Sequence, residues 1–251
     1  MTQINCIKNQ QEYPQHSIPK SVVLHLLPGV LITFLFIVLI PFMLSLGLLS
    51  NTAFLVAGLL ILVIFEGGLI LYQGKRRKGG FKLQGVIFYR KPLSLNQYFL
   101  FVTSMLVTGL LVSLILGSLI SLQARGILFF WLPEWFVLTF SLEHPKAVLL
   151  INGSLSLIVN GVLGPLIEET YFRGYLLPRL SRLEKKGVFL NAILFAIYHF
   201  WTPWRVIELT LLTLVLGLIV WWKKNIFLGM LPHILGNVTS EILKIAAILI
   251  L

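Results

Sequence analysis

Long apolar stretches, separated by short polar segments, dominate the chain from residue 22 onwards. A helix that crosses a membrane needs about 20 mainly apolar residues, and most of these stretches reach that length. We predict membrane helices over 22–49, 52–72, 98–122, 146–182 (with a bend at Gly164-Pro165), 188–201, 206–222 and 226–251. The predicted fold is all-α, a polytopic membrane bundle of about seven to eight transmembrane helices. The eighth requires that the last stretch or the region around Trp131 divides.

One apolar stretch, 126–140, differs from the others because Pro133 and Glu134 interrupt it. It is short and carries Trp131 and Trp135, which is typical of a segment that lies at the membrane interface or re-enters the membrane. We therefore do not count it as a full crossing. The first span follows a polar N-terminal stretch and lacks a nearby small-residue cleavage pattern, which favours an uncleaved helix over a signal peptide.

Composition and charge support a membrane protein. The chain is 57% hydrophobic and 12% charged, with a mean hydropathy of +0.92, which lies outside the range of soluble domains. The net charge of +11 does not point to nucleic acid, because the basic residues fall between the apolar spans. If the N-terminus is cytoplasmic, the cytoplasmic segments hold fifteen Lys and Arg residues and the outer segments hold three. This asymmetry predicts a multi-pass cell-membrane protein with its N-terminus and basic loops in the cytoplasm, in contact with anionic headgroups.

Two adjacent carboxylates and an arginine, Glu168, Glu169 and Arg173, lie inside this apolar chain. Ionisable groups are costly at membrane depth, so such a cluster is a candidate functional site. Glu169 and Arg173 are four residues apart and can pair on one helix face, whereas Glu168 points about 100° away. A carboxylate paired with arginine is a poor base, whereas an unpaired one in an apolar cavity accepts a proton more readily. We expect Glu168 to be the base; the alternative is a purely structural ion network.

Further polar residues lie within later apolar spans. His233 and Asn237 share a helix face and offer two hydrogen-bond donors, which suits an oxyanion. Pro232 can open the turn before His233, and His199 lies in a separate predicted helix. His25, at the start of the first span, is expected to reach the interface. Glu66, in the middle of the second span, is expected either to bond to a neighbouring helix or to line a cavity.

Three motifs combine these residues: Glu168-Glu169-x-x-x-Arg173, Phe195-x-x-x-His199 and His233-x-x-x-Asn237. In this order and spacing they resemble the CAAX-protease and bacteriocin-processing family of intramembrane proteases, over about residues 146–240. The resemblance implies a catalytic cavity inside the bilayer. It also implies that Glu168 and His199 activate a water molecule and that His233 and Asn237 form the oxyanion hole. Glu169 and Arg173 match the second acid and the arginine of the family.

The predicted activity is hydrolysis of a peptide bond in a membrane-associated protein or peptide, without a cofactor. Zinc is the lesser alternative, with Glu168, His199 and His233 as ligands. Against zinc, the chain lacks a His-Glu-x-x-His motif and places Arg173 nearby. The alternative from another class is a non-catalytic membrane protein, either a bacteriocin self-immunity factor or a peptide-binding protein.

The chain reads as one structural domain, since no repeat or low-complexity linker divides it. Within it we expect a polar cytoplasmic segment over 1–20 and N-terminal transmembrane helices over 21–145, which include a basic loop at 74–97. The catalytic helices are expected over 146–251.

Overall fold

The computed structural model describes residues 13–138 and 142–250. Most of the polar segment predicted over 1–20 lies outside the described residues. The described part is helical and contains no strand, which confirms the predicted all-α membrane bundle. Its α-helices are α1 Ile18–Ser45, α2 Ser50–Ile61, α3 Gly68–Lys78, α4 Leu95–Val112, α5 Leu122–Leu128, α6 Lys146–Ser156, α7 Gly164–Glu168, α8 Glu184–Tyr198, α9 Val206–Lys223 and α10 Phe227–Ile250.

Six helical stretches among the described residues are long and apolar enough to cross a membrane. One of them, Lys146–Tyr198, has 53 residues. At 1.5 Å per residue it would be roughly 80 Å long, more than twice the thickness of the hydrocarbon core. The chain leaves helical geometry at Glu184, where φ is +49°, so this stretch is not one continuous straight helix. The six candidate crossings are close to the seven to eight that the sequence predicts.

The region around Trp131 begins later than predicted. The third span runs as Leu95–Leu128, so the interruption starts at Phe129 rather than at residue 126. After it, the described chain to residue 138 contains one short 3₁₀ turn, Glu134–Phe136, and Trp131 is exposed. The last two residues of the predicted segment, 139 and 140, lie outside the described part.

Several helices change locally to π-helical geometry, in which hydrogen bonds run from residue i to i+5. Wider turns of this kind occur mostly as short insertions within α-helices, frequently at functional sites. Here they join α2 to α3, α4 to α5, α6 to α7, and α7 to the 3₁₀ segment Leu177–Leu183. The π segments are Leu62–Gly67, Ser113–Ser121, Leu157–Leu163 and Glu169–Leu176.

Carbonyl groups in two of these π segments accept hydrogen bonds from other elements. Asn237 Nδ2 donates to the Asn160 carbonyl at 2.9 Å, and Asn191 Nδ2 donates to the Phe172 carbonyl at 3.1 Å. Buried polar side chains are thereby satisfied where water is scarce, as membrane depth requires. The irregular turns therefore connect the motif helices to each other.

His25 is buried, so the expectation that it reaches the interface is wrong. Its Nδ1–H donates to the Ser21 carbonyl at 2.6 Å, and Asn191 Nδ2 donates to its Nε2 at 2.9 Å. The close packing of α8 against α1 explains the burial. At Gly29 the two helices approach so closely that a Cβ atom would overlap the Tyr198 carbonyl oxygen.

The basic loop predicted over 74–97 also contributes to the interior. Ile87 and Tyr89 are buried, and Phe88 N–H donates to the Gly174 carbonyl at 3.0 Å. The Ile87 side chain packs where Gly174 has no Cβ; a Cβ atom there would come within 2.8 Å of Ile87 Cγ2. The loop is therefore fixed against the π segment Glu169–Leu176, which carries Arg173.

Candidate active site

Five of the six predicted site residues line one cavity of about 920 Å³ between α4, α7, α8, α9 and α10. These five residues are Glu168, Glu169, His199, His233 and Asn237. The sixth, Arg173, is fully buried behind the wall. Much of the remaining lining is apolar. The structure thus brings three sequence motifs, up to 69 positions apart between Glu168 and Asn237, to one place.

Glu169 is the shared partner of two basic side chains. One of its oxygens, Oε1, lies 3.1 Å from Arg173 Nη1 and also 3.1 Å from His233 Nδ1. Glu169 and Arg173 are fully buried, and the Arg173 guanidinium lies 4.1 Å from the centre of the Phe195 ring. The spacing of four residues predicts the pairing of Glu169 with Arg173, whereas no feature of the sequence predicts the contact of Glu169 with His233.

Glu168 has a different environment from its neighbour. It is 8% exposed, borders the cavity, and accepts a long hydrogen bond of 3.4 Å from the Tyr198 hydroxyl. Among the described residues, no Lys, Arg or His nitrogen lies within 4.0 Å of its carboxylate. The two adjacent acids therefore differ, since Glu169 is paired twice and Glu168 faces the cavity.

His199 lies at the C-terminal end of α8, directly after Tyr198. Its Nδ1–H donates to the Phe195 carbonyl at 2.8 Å, which leaves Nε2 without a proton in the neutral ring. The Tyr198 and Trp201 rings pack against the imidazole, with centroid distances of 5.0 and 4.8 Å. Glu168 and His199 share the cavity, but no direct hydrogen bond joins these two side chains. A joint role requires a molecule between them.

His233 and Asn237 lie one turn apart on α10, and each uses part of its hydrogen-bonding capacity. His233 Nδ1 faces Glu169, so this nitrogen carries the proton and Nε2 remains available. Asn237 donates one N–H to the Asn160 carbonyl and keeps a second N–H for the cavity. Both side chains are therefore held in place by one bond and free to make another.

Two residues near Glu168 were not assigned to the site from the sequence. The contact of Tyr198 with Glu168 could not be predicted, because the sequence of an apolar helix does not show which tyrosine hydroxyl bonds to a carboxylate. Glu66 was expected either to bond to a neighbouring helix or to line a cavity. It is fully buried and does not line the cavity, and it interacts with Glu168 and with the Tyr198 hydroxyl of the neighbouring helix α8.

The zinc alternative finds no support in the arrangement of the donors. Among residues 13–138 and 142–250, no three His, Cys, Asp or Glu side chains are placed to hold a metal ion. Of the three candidate ligands, His199 and His233 have Nδ1 engaged and keep Nε2 available, and Glu168 lies beside Tyr198. Independence of a metal ion is therefore a proposal that a chelator experiment tests.

Gly229 provides the space that the Glu169 carboxylate occupies. A Cβ atom at this position would lie 2.5 Å from Glu169 Oε2 and 2.9 Å from Leu216 Cδ2. We predict that Gly229→Ala destabilises the fold by about 1–3 kcal/mol, the usual cost of overpacking. The free energy of unfolding, measured by denaturant titration in detergent micelles, tests this.

Gly236, on the same helix, is the matched control. No atom would lie within 4 Å of a Cβ there, so Gly236→Ala is expected to be neutral or to stabilise by up to about 1 kcal/mol through helix propensity. Equal destabilisation by the two substitutions would show that Gly229 has no special contact with Glu169.

Comparison with known proteins gives one result for this segment. Residues 150–239 match the family model described as type II CAAX prenyl endopeptidase Rce1-like. No curated protein and no solved structure gives a significant match. The matched segment runs from α6 to α10 and contains all three motifs, so the family resemblance inferred from the motifs is confirmed. Residues 150–239 are thus similar to the Rce1-like family of type II CAAX prenyl endopeptidases.

Proposed function

We propose that this protein is an intramembrane endopeptidase that hydrolyses a peptide bond of a membrane-associated protein or peptide. The match of residues 150–239 to a protease family supports the reaction class. The observation that carries the proposal is the unequal pairing of the two acids. Glu169 is engaged by Arg173 and His233, and Glu168 is left at the cavity without a basic partner.

Glu168 and His199 are proposed to activate the attacking water. Glu168 takes a proton from the water while the water oxygen forms a bond to the carbonyl carbon of the peptide. The π electrons of the carbonyl group move to the carbonyl oxygen, which becomes the oxyanion. His199 accepts a hydrogen bond from the same water through Nε2, the nitrogen left free by the bond to Phe195. Collapse of the intermediate breaks the C–N bond, and Glu168 returns its proton to the departing amine. General acid–base catalysis of this kind contributes about 10²–10⁴-fold.

His233 and Asn237 are proposed to bind the oxyanion of the tetrahedral intermediate. Asn237 has one amide N–H free after its bond to Asn160, and His233 can donate from Nε2 when its ring is doubly protonated. Glu169 stabilises that imidazolium because a carboxylate already faces Nδ1. Donors held in advance at the developing charge need no reorganisation during the reaction.

The cavity suits a substrate that reaches the site from the membrane. Its walls include apolar side chains of α4 and α9, among them Met105, Leu106, Leu209 and Leu212. Such walls favour an apolar segment or a lipid-modified peptide over a charged soluble one.

Glu168→Gln is predicted to lower the rate of cleavage by at least about 10²-fold, because the amide cannot take the proton. The assay uses protein reconstituted in vesicles and a farnesylated peptide ending in Cys-aliphatic-aliphatic-X, alongside its unprenylated twin. Exposed Glu134→Gln is the control and should retain wild-type activity.

Cleavage that survives the loss of Glu168, His199 and Asn237 one at a time would exclude this mechanism. A wild-type protein that binds both peptides without cutting either would favour the alternative, a peptide-binding or bacteriocin self-immunity protein.

Asn237→Ala is predicted to reduce kcat by about 10²–10³-fold with a smaller change in KM, since the lost donor acts mainly on the transition state. Single-turnover measurements with the same peptides separate the two constants. A rise in KM with an unchanged kcat would instead assign Asn237 to substrate binding.

Activity is predicted to be independent of a bound metal. Prolonged dialysis against 1,10-phenanthroline should change the cleavage rate by less than about twofold, because Glu168 needs no Lewis acid to activate water in this mechanism. Loss of activity that is restored by added zinc would contradict the prediction.

The basic loops are proposed to lie in the cytoplasm, by the positive-inside rule. In a Cys6→Ser background, which removes the single cysteine of the chain, a membrane-impermeant maleimide is applied to intact cells. We expect it to label His144→Cys and to label Lys82→Cys only after permeabilisation. The reverse labelling pattern would show that the basic loops lie outside the cell.

A further inference from the structure

A second cavity lies at the basic end of the bundle, away from the motif residues. Its volume is about 660 Å³, and it is lined by Tyr13, by residues of the segment 84–91, and by Lys224. Three of the lining residues, Arg90, Lys91 and Lys224, are basic, and no described carboxylate lines the cavity. We call it the basic pocket. Basic side chains without a neighbouring carboxylate are unlike an ordinary solvated surface, where basic and acidic side chains are interspersed.

Lys224 is the most informative residue of the basic pocket. It is half-buried, and burial lowers the pKa of its ammonium group. Its Nζ lies 4.5 Å from the centre of the Tyr89 ring and 4.8 Å from that of Trp221. Among the described residues it forms no ion pair with a carboxylate. A partly desolvated ammonium is therefore held in place by aromatic rings without a counter-ion from the described chain.

Backbone contacts fix the three cations relative to one another. Lys91 N–H donates to the Lys224 carbonyl at 2.9 Å, and Ile226 N–H donates to the Tyr89 carbonyl at 2.7 Å. Asn225 pairs with Arg90 in an isolated bridge and donates from Nδ2 to the Lys91 carbonyl at 2.7 Å. The segment 84–91 and the connection between α9 and α10 thus form a built site rather than a chance meeting of long side chains.

Tryptophan and lysine residues beside the basic pocket indicate that it lies near the lipid headgroups. It adjoins the C-terminal end of α9, where Trp221, Trp222 and Lys223 follow one another. Trp222 is exposed, and Lys223 Nζ lies 3.6 Å from the centre of its ring. Tryptophans and lysines at a helix end mark the interface between hydrocarbon and water.

We propose that the basic pocket binds the phosphate-bearing headgroup of an anionic phospholipid. Phosphate oxygens are strong acceptors for ammonium and guanidinium groups, and basic pockets between membrane helices are suited to such headgroups. The lipid would supply the counter-ion that the described chain does not give Lys224. A bound headgroup would also bridge the segment 84–91 to the start of α10, the helix that carries His233.

The test compares two double substitutions that remove the same charge from the basic face. Arg90→Gln/Lys224→Gln empties the pocket of two cations. Lys75→Gln/Arg76→Gln removes two exposed cations from the last turn of α3, outside the pocket. Each protein is purified in neutral detergent and titrated with phosphatidylglycerol or phosphatidylcholine, with bound lipid counted by native mass spectrometry.

We expect the wild type and the α3 variant to bind phosphatidylglycerol in preference to phosphatidylcholine. The pocket variant should bind phosphatidylglycerol about 30-fold more weakly, since two basic contacts are lost. Equal weakening in both variants would mean that only the general charge of the basic face attracts the lipid. If the pocket variant bound phosphatidylglycerol as tightly as the wild type, the proposal would also be overturned.

Inorganic phosphate distinguishes the source of the anion. The midpoint temperature of thermal unfolding of the wild type should rise with phosphatidylglycerol and stay unchanged with millimolar phosphate. A full shift with phosphate alone would assign the basic pocket to a soluble anion instead of a lipid. If the first pocket variant does not fold, Arg90→Gln/Lys91→Gln, which keeps the contacts of Lys224 with the aromatic rings, replaces it.

Discussion

The arrangement of the site depends on one buried carboxylate, that of Glu169. Its Oε1 atom lies 3.1 Å from both Arg173 Nη1 and His233 Nδ1, and the Glu169 side chain is fully buried. Removing it would leave two basic groups without a counter-charge at membrane depth, where unpaired charge is costly. The same contact joins the π segment Glu169–Leu176 to α10 and orients the His233 ring. Because Arg173 pairs with Glu169, it does not pair with Glu168. The two adjacent glutamates therefore have different electrostatic environments.

The rest of the bundle supports this arrangement through backbone groups. Irregular turns expose carbonyls that a regular α-helix would satisfy, and these accept hydrogen bonds from Asn237 and Asn191. Asn191 in turn bonds to His25, so α1 is tied to the motif helices even though it lies outside the matched family segment. On the opposite side, the segment 84–91 bonds to the carbonyl of Gly174, next to Arg173. The N-terminal half thus fixes the position of the segment that carries the three motifs, without supplying any motif residue.

The sequence predicts what local spacing determines. Apolar length is sufficient for the spans, and a separation of four residues is sufficient for Glu169 with Arg173 and for the shared face of His233 and Asn237. The contact between Glu169 and His233 crosses 64 positions and has no local signal. The π segments also escape prediction, because single turns of that geometry have no composition that separates them from α-helix. The burial of Ile87 and Tyr89 is not predicted, because the surrounding basic residues indicate a loop in contact with anionic headgroups.

The division of labour in the cavity is the central claim, and a structure with a tetrahedral inhibitor tests it most directly. A peptide phosphonate that mimics the intermediate would be bound to the protein in nanodiscs and examined by cryo-electron microscopy. One phosphoryl oxygen is expected about 2.7–3.1 Å from His233 Nε2 and Asn237 Nδ2, the distance range of an oxyanion hole. A second oxygen, in the place of the attacking water, should face Glu168 and His199. An inhibitor bound with its oxygens reversed, or a metal ion between Glu168, His199 and His233, would contradict the account.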